Sequence, residues 1–289
     1  MPMLLIEGVF RIAGTRPDGD TVRFHPNNPD HWDLVPGRPV RRNSTGGANL
    51  RLEGIDTLET HYRPPSGGQE LHQPKEFADR AADELLSWLG FTQVQRKPDG
   101  TVTSSTPQQA PGYILTRGAD PHGRCVALVG KGQHAKRSGE SIDAKVKELK
   151  KTVNHHLLAV GLAYPLFYRT LFPDLRQELT AVAQKARKDG EGLWPDDKTT
   201  DGAQAAAAPT ITPDVVLPKF FRRLAEYIVL NNGDPDLGGF RAFLAQKADK
   251  FTVLSDGHFT TGLDLVVEVI NATEVRMTRE PEDLVFDEG

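Results

Sequence analysis

Residues 51–60, Arg51-Leu52-Glu53-Gly54-Ile55-Asp56-Thr57-Leu58-Glu59-Thr60, constrain the fold more than any other stretch of this chain. The run from about Ala48 to Ile55 has the apolar content of a strand, yet it leads a guanidinium into a group of carboxylates within ten residues. Side chains on a regular strand alternate with a period of two, so Arg51 and Asp56 would face opposite ways. Either a bulge near Gly54 or an end to the strand before Asp56 is needed to bring them to one side.

At 289 residues the chain is longer than one average domain, and its 38% apolar and 26% charged residues are typical of a soluble protein with a core. No apolar run approaches the roughly 20 residues that a membrane helix needs, so no membrane span is expected. Met1 to Glu7 has no basic lead and too short an apolar run for a signal peptide, and a cytoplasmic location is the expectation. The single cysteine, Cys125, excludes an internal disulfide and a cysteine-clustered zinc site.

Residues 3–13 and 20–25 are rich in β-branched and aromatic residues and flank the Pro17-Asp18-Gly19 turn, which predicts a hairpin with an acidic tip. Asn27 to Gly47 is dense in Pro, Asn and Gly and reads as a long loop. Phe77, Ala81, Leu85 and Trp88 recur at helical spacing, predicting a helix over 74–89 that Gly90 stops. Residues 92–111 form an inserted hairpin or loop. Tyr113–Thr116 and Cys125–Val129 make a further strand pair, and helices are expected around 153–160 and over 174–188. Pro195 to Pro213, with its alanine run, marks a linker. Beyond it, amphipathic patterns at 219–230 and 240–247 and alternating runs at 251–254, 263–270 and 274–277 predict a small helix-then-sheet module. The domain reading is therefore 1–196, a linker over 197–213, and an accessory module over 214–289.

Charge is unevenly divided. From Leu254 onward nine acids face two arginines, a balance of −7, so the overall −4 leaves +3 on residues 1–253. That asymmetry permits a polyanionic partner on the main body. Lys131–Lys151 carries seven basic residues against three acids, either a solvated helix face or a surface for a phosphate backbone.

Three clusters carry the chemistry: Asp18-Gly19-Asp20-Thr21-Val22, the 51–60 stretch, and Asp120-Pro121-His122-Gly123-Arg124. Cleaving a phosphodiester requires a delivered nucleophile and donors that hold the extra negative charge of a five-coordinate transition state. Asp20, Asp56 and the Thr57 carbonyl suit a hard cation such as Ca²⁺, or another divalent metal, and the absence of soft ligands makes zinc a poor fit. Glu59 would orient and deprotonate a water. Arg51 and Arg124 would donate forked hydrogen bonds to phosphate oxygens, worth about 3 to 4 kcal/mol each at the transition state.

These three motifs, in this order, resemble the staphylococcal-nuclease-like (thermonuclease) family. Val153-Asn154, Gly161-Leu162-Ala163 and Gly192-Leu193-Trp194 add to the resemblance, which covers roughly residues 3–196 with insertions at about 27–46, 92–111 and 131–150. It implies an α+β fold, an OB-type five-stranded β-barrel with three helices, to which this chain adds the small C-terminal α+β module. It also implies Ca²⁺-dependent endonucleolytic hydrolysis of DNA and RNA. By residue it implies metal roles for Asp20, Asp56 and Thr57, the general base for Glu59, and phosphate stabilisation by Arg51 and Arg124. His122, Phe167 and Tyr168 fall where the family places aromatic groups beside the nucleotide. Leu58 stands where the family usually has proline, which frees the turn that aims Glu59. The alternative reading is a non-catalytic nucleic-acid-binding or scaffold protein using the barrel. The acidic tail would recruit a protein partner or inhibit the chain itself by covering its basic surface.

Overall fold

A computed structural model describes residues 2–287. Strands β1 (Pro2–Phe10), β2 (Thr21–Pro26) and β3 (Ala48–Leu52) open the chain, and a short β4 (Ile55–Asp56) follows a turn at Gly54. Helix α1 (Lys75–Trp88) and the hairpin of β5 (Thr92–Arg96) and β6 (Val102–Thr106) precede the long strands β7 (Ala110–Ala119) and β8 (Cys125–Lys131). Five strands close in the order β1-β2-β3-β8-β7, antiparallel except for the β3–β8 pair. The result is the OB-type barrel that the family resemblance implies, and the 92–111 insertion is a hairpin on its flank.

Alternation decides which side chains fill the barrel. Val22, Phe24, Leu50 and Leu52 are buried, whereas Thr21, Arg23, Asn49 and Arg51 lie on the outer face of the same two strands. β3 ends at Leu52, and the parity conflict between Arg51 and Asp56 is resolved by a turn rather than a bulge. Gly54 takes φ +81°, and a Cβ there would lie 2.5 Å from Leu179 Cδ1.

After β9 (Ser141–Asp143), which adds to β1, come α2 (Val146–Leu149), α3 (Val153–Ala159), β10 (Tyr164–Pro165), β11 (Phe167–Tyr168) and α4 (Pro173–Asp189). Pro173 begins α4 where its missing N–H is not needed, and Gly190 ends it in the left-handed region at φ 69°. Asn154 explains why α3 sits where it does. Its amide donates to the carbonyls of Glu53 (2.9 Å) and Ala127 (3.0 Å), and its oxygen accepts from the Val129 N–H (2.9 Å), all buried. The Gly161 and Gly192 motifs have a shared cause. Their backbones touch through a Leu193 N–H to Gly161 carbonyl bond of 2.8 Å, and a Cβ on either would fall about 2.1–2.2 Å from a carbonyl oxygen of the other segment.

Residues 197–213, expected as a linker, carry β12 (Ala203–Gln204). Then follow α5 (Pro218–Leu230), α6 (Phe240–Lys247), β13 (Lys250–Val253), β14 (His258–Thr261), β15 (Val267–Asn271), β16 (Glu274–Met277) and β17 (Leu284–Phe286). The 263–270 run, expected as one alternating segment, is split into a 3₁₀ turn at Leu263–Leu265 and β15, because Gly262 turns the chain at φ +98°. β17 runs parallel to β11, β12 pairs with β16, and one continuous apolar core spans both parts of the chain.

Replacing Asn154 by alanine removes three buried hydrogen bonds to backbone groups. A loss of about 3 kcal/mol is expected, read as a lower urea midpoint with an unchanged m-value.

Candidate active site

The acidic tip of the first hairpin is pressed onto the end of β4. A Cβ on Gly19 would lie 2.7 Å from both Thr57 Oγ1 and Ala81 Cβ, so only glycine allows the turn to lie this close. The Asp20 carbonyl accepts the Leu52 N–H at 2.8 Å, and Asp20 Oδ1 accepts the Thr21 hydroxyl at 3.0 Å. Asp18, Asp20, Asp56 and Glu59 thereby form one acidic cluster over the buried Thr57. Burial pushes the Asp18 carboxyl well above its ordinary range, and the neighbouring charges of Asp20 and Glu59 push it further.

Glu59 is held from behind by Gln73. The Glu59 N–H donates to Gln73 Oε1 (3.1 Å), the Gln73 N–H donates to the Glu59 carbonyl (2.9 Å), and the Gln73 amide donates to the Val216 carbonyl (2.7 Å). The freedom that Leu58 leaves, where the family's proline would fix φ, is taken up by this bracket. Burial raises Glu59 to about 7; Asp56 and Asp20 add to the rise and Arg222 opposes it.

Arg51 leaves the outer face of β3 toward the same cluster. Its Nη2 lies 3.9 Å from Asp56 Oδ1, and its guanidinium stands 5.5 Å from the centre of the Tyr168 ring. Burial works to raise Tyr168, but Lys219, Arg51 and Arg222 outweigh it and lower the phenol. Arg51 and Tyr168 line a cleft of about 650 Å³ whose far wall comes from the C-terminal module: Lys219, Arg223, Lys247 and Lys250. Phe167, one residue away on β11, is fully buried and belongs to the core.

His122 is exposed at the β7–β8 turn and forms part of the cleft wall, its N–H bound to Asp120 Oδ1 at 2.9 Å. It also lines a second groove of about 450 Å³ with Arg23, Arg41, Arg42, Arg124, Asn43 and Asn49. Arg124 belongs to this groove rather than to the cleft of Arg51, and its Nε donates to Asp120 Oδ2 at 2.7 Å. Arg41, Arg42 and Asn43 come from the insertion at 27–46.

The residue that sequence reasoning missed is Arg222 on α5. Its Nη2 donates to Asp56 Oδ2 at 2.7 Å, and its Nη1 reaches Glu59 Oε1 at 2.5 Å and Asp56 Oδ1 at 3.3 Å. The sequence held no clear signal for it: Arg222 flanks the apolar stripe of Phe220, Phe221, Leu224, Ala225 and Ile228 as any polar residue of an amphipathic helix does. The contact is opposite in sign to the self-inhibition expected of the tail: a tail cation meets the barrel's acids. It also decides the fit of a divalent ion. Asp20, Asp56 and the Thr57 carbonyl are right in kind for Ca²⁺. However, Asp56 is fully buried and both its oxygens are engaged by Arg222, so as folded the set does not fit the ion.

A carboxyl raised from 4.5 to about 7 in the folded chain favours folding while it is protonated, and that contribution is lost as pH rises through about 7. Glu59→Gln should therefore flatten the decline of stability between about pH 4.5 and 7 relative to the unsubstituted chain, by on the order of 3 kcal/mol across the interval. Chemical denaturation at a series of pH values measures it.

The family whose sequence profile matches is described as staphylococcal nuclease homologue, and the match runs over residues 49–196, just over half of the chain. It takes in Arg51, Asp56, Thr57, Glu59, His122, Arg124, Phe167 and Tyr168, with Asp20 before it and Arg222 after it. No curated protein matches the chain. With the closed five-stranded barrel and the match over 49–196, the chain belongs to the staphylococcal nuclease homologue family.

Proposed function

We propose that this chain is a phosphodiester hydrolase, an endonuclease of DNA or RNA in which water attacks phosphorus. The observation that carries this reading is the convergence of Glu59, Asp56 and Arg51, the last of which also lines the cleft with Tyr168, Lys219 and Lys250. Glu59, gripped by Gln73, takes the proton from the attacking water. Arg51 donates to the non-bridging oxygens as charge builds on them. Tyr168, beside Arg51 in the cleft, offers a face on which any base can stack. Beyond His122, Arg124, Arg23, Arg41 and Arg42 hold phosphates that flank the scissile one, so the insertion at 27–46 lengthens the strand-binding track. Ca²⁺ is the ion that the family implies for Asp20, Asp56 and Thr57.

One observation favours a second reading, a protein that binds nucleic acid without turnover: Arg222 lies across the general base and Asp56. A nuclease assay on single- and double-stranded DNA and RNA, across Ca²⁺, Mg²⁺ and Mn²⁺ and with chelator, separates the two. Gel shifts without cleavage throughout that series would decide for the second.

In the hydrolytic reading, Glu59→Gln lowers kcat by about 10²- to 10⁴-fold while Kd for single-stranded DNA stays within about twofold. Unchanged turnover would remove Glu59 from its role. The double substitution Arg41→Ala and Arg42→Ala should weaken binding of single strands and reduce the slope of log K against log salt by about 1.4, since each lost phosphate contact removes about 0.7. A slope that stays the same would detach the groove from the substrate path.

A further inference from the structure

Adjacent arginines on α5 have different surroundings. Arg223 is committed to its own module, with bonds of 2.7 and 2.8 Å to Asp249. Arg222 points across to the barrel and makes a bidentate pair with Asp56, with Glu59 as a second carboxylate on Nη1. A buried carboxylate such as Asp56 needs a close cation in any state of the folded chain. Arg51 is too far, at 3.9 Å, to donate a hydrogen bond, so Arg222 is the closer of the two arginines.

The helix that carries Arg222 is fixed in place. The Val216 carbonyl accepts from Gln73, the Leu217 N–H donates to Thr199 Oγ1 at 2.9 Å, Phe221 meets Tyr62 edge-on at 6.2 Å, and β17 is paired with β11. The guanidinium is thereby held over the acids by the packing of its own helix. Glu226, one helical turn further along α5, is already held by Lys247 and Arg223.

We propose that Arg222 is an internal cation occupying the place a divalent ion would take at Asp56 and Glu59, and that its guanidinium keeps the ion out of the folded site. What this exclusion means for turnover rests on the hydrolytic reading above; the occupancy itself does not.

The test uses the full chain and Ca²⁺ as the probe. Calorimetric titrations and thermal melts in a Ca²⁺ series compare the unsubstituted protein with Arg222→Ala and with Arg222→Gln, which keeps a donor for Asp56 but no charge. Both variants are expected to bind Ca²⁺ at least about 10-fold more tightly than the unsubstituted chain, and to gain more melting temperature at a given Ca²⁺ concentration. Adding Asp56→Asn to either should abolish the gain. If Arg222→Ala folds only with Ca²⁺ present, the ion is replacing the guanidinium and the proposal holds. Equal Ca²⁺ affinity in all three proteins overturns it, as does the absence of any Ca²⁺ effect on both variants. A nuclease assay on the same samples fails separately: tighter Ca²⁺ binding without cleavage would sink the hydrolytic reading and leave the occupancy by Arg222 standing.

Discussion

A carboxylate with no solvent, Asp56, governs how this molecule is put together. Its charge is held by guanidiniums from two distant places, Arg51 on the preceding strand and Arg222 at a separation of 166 residues. Removing a charge from water is costly unless it is paired with good geometry, so a folded chain that buries Asp56 must also seat α5 against the barrel. The C-terminal module is in this sense part of the site. It contributes the cation over the acids and the lysine-bearing wall of the cleft.

The acids reach one point because the backbone is allowed unusually close approaches there. Gly19 lets the hairpin tip touch Thr57 and α1, Gly54 turns the chain between β3 and β4, and Gly161 with Gly192 locks the end of α4 to the loop after α3. At Gly19, Gly161 and Gly192 a single methyl group would collide with an atom that the fold cannot move cheaply, and at Gly54 the positive φ itself favours glycine. Asn154 does the complementary work with hydrogen bonds, joining α3 to the turn after β3 and to β8. A scaffold made this way fixes the reactive end of the barrel before any ligand arrives, and the precision at Glu59 comes from Gln73 rather than from a proline ring.

The position of Arg124 shows how a motif constrains less than it promises. The Asp120 to Arg124 turn forms as its sequence predicts, but the same Asp120 that shapes the turn also binds the guanidinium and turns it into the groove with Arg41 and Arg42. Two troughs thus meet at His122, the first mixed in charge and the second lined by arginines. One is lined by Arg51 and the C-terminal module, the other by the 27–46 insertion.

Local signals were enough for much of the architecture. The β-rich composition of β2, the apolar spacing of α1 and the pattern of α4 come from contacts within a few residues, and these elements lie within a residue or two of where the sequence puts them, whereas β3 starts at Ala48 as expected but stops at Leu52, short of Ile55. The acidic cluster was legible too, because Asp20, Asp56 and Glu59 sit in short motifs. What the sequence left open depends on pairs far apart in the chain. β17 is three residues long and finds its partner in β11, Phe167 and Tyr168 are parted by the pleat of that strand into core and cleft, and Arg222 looks like any polar residue of an amphipathic helix until Asp56 is placed opposite it. By itself the sequence determined most strands and helices, since periodicity and turn chemistry are local, while the barrel was what the family resemblance implied. Only the tertiary structure decided which cation the acidic cluster holds, because the partner of a buried charge is chosen by proximity in space, which no spacing along the chain records.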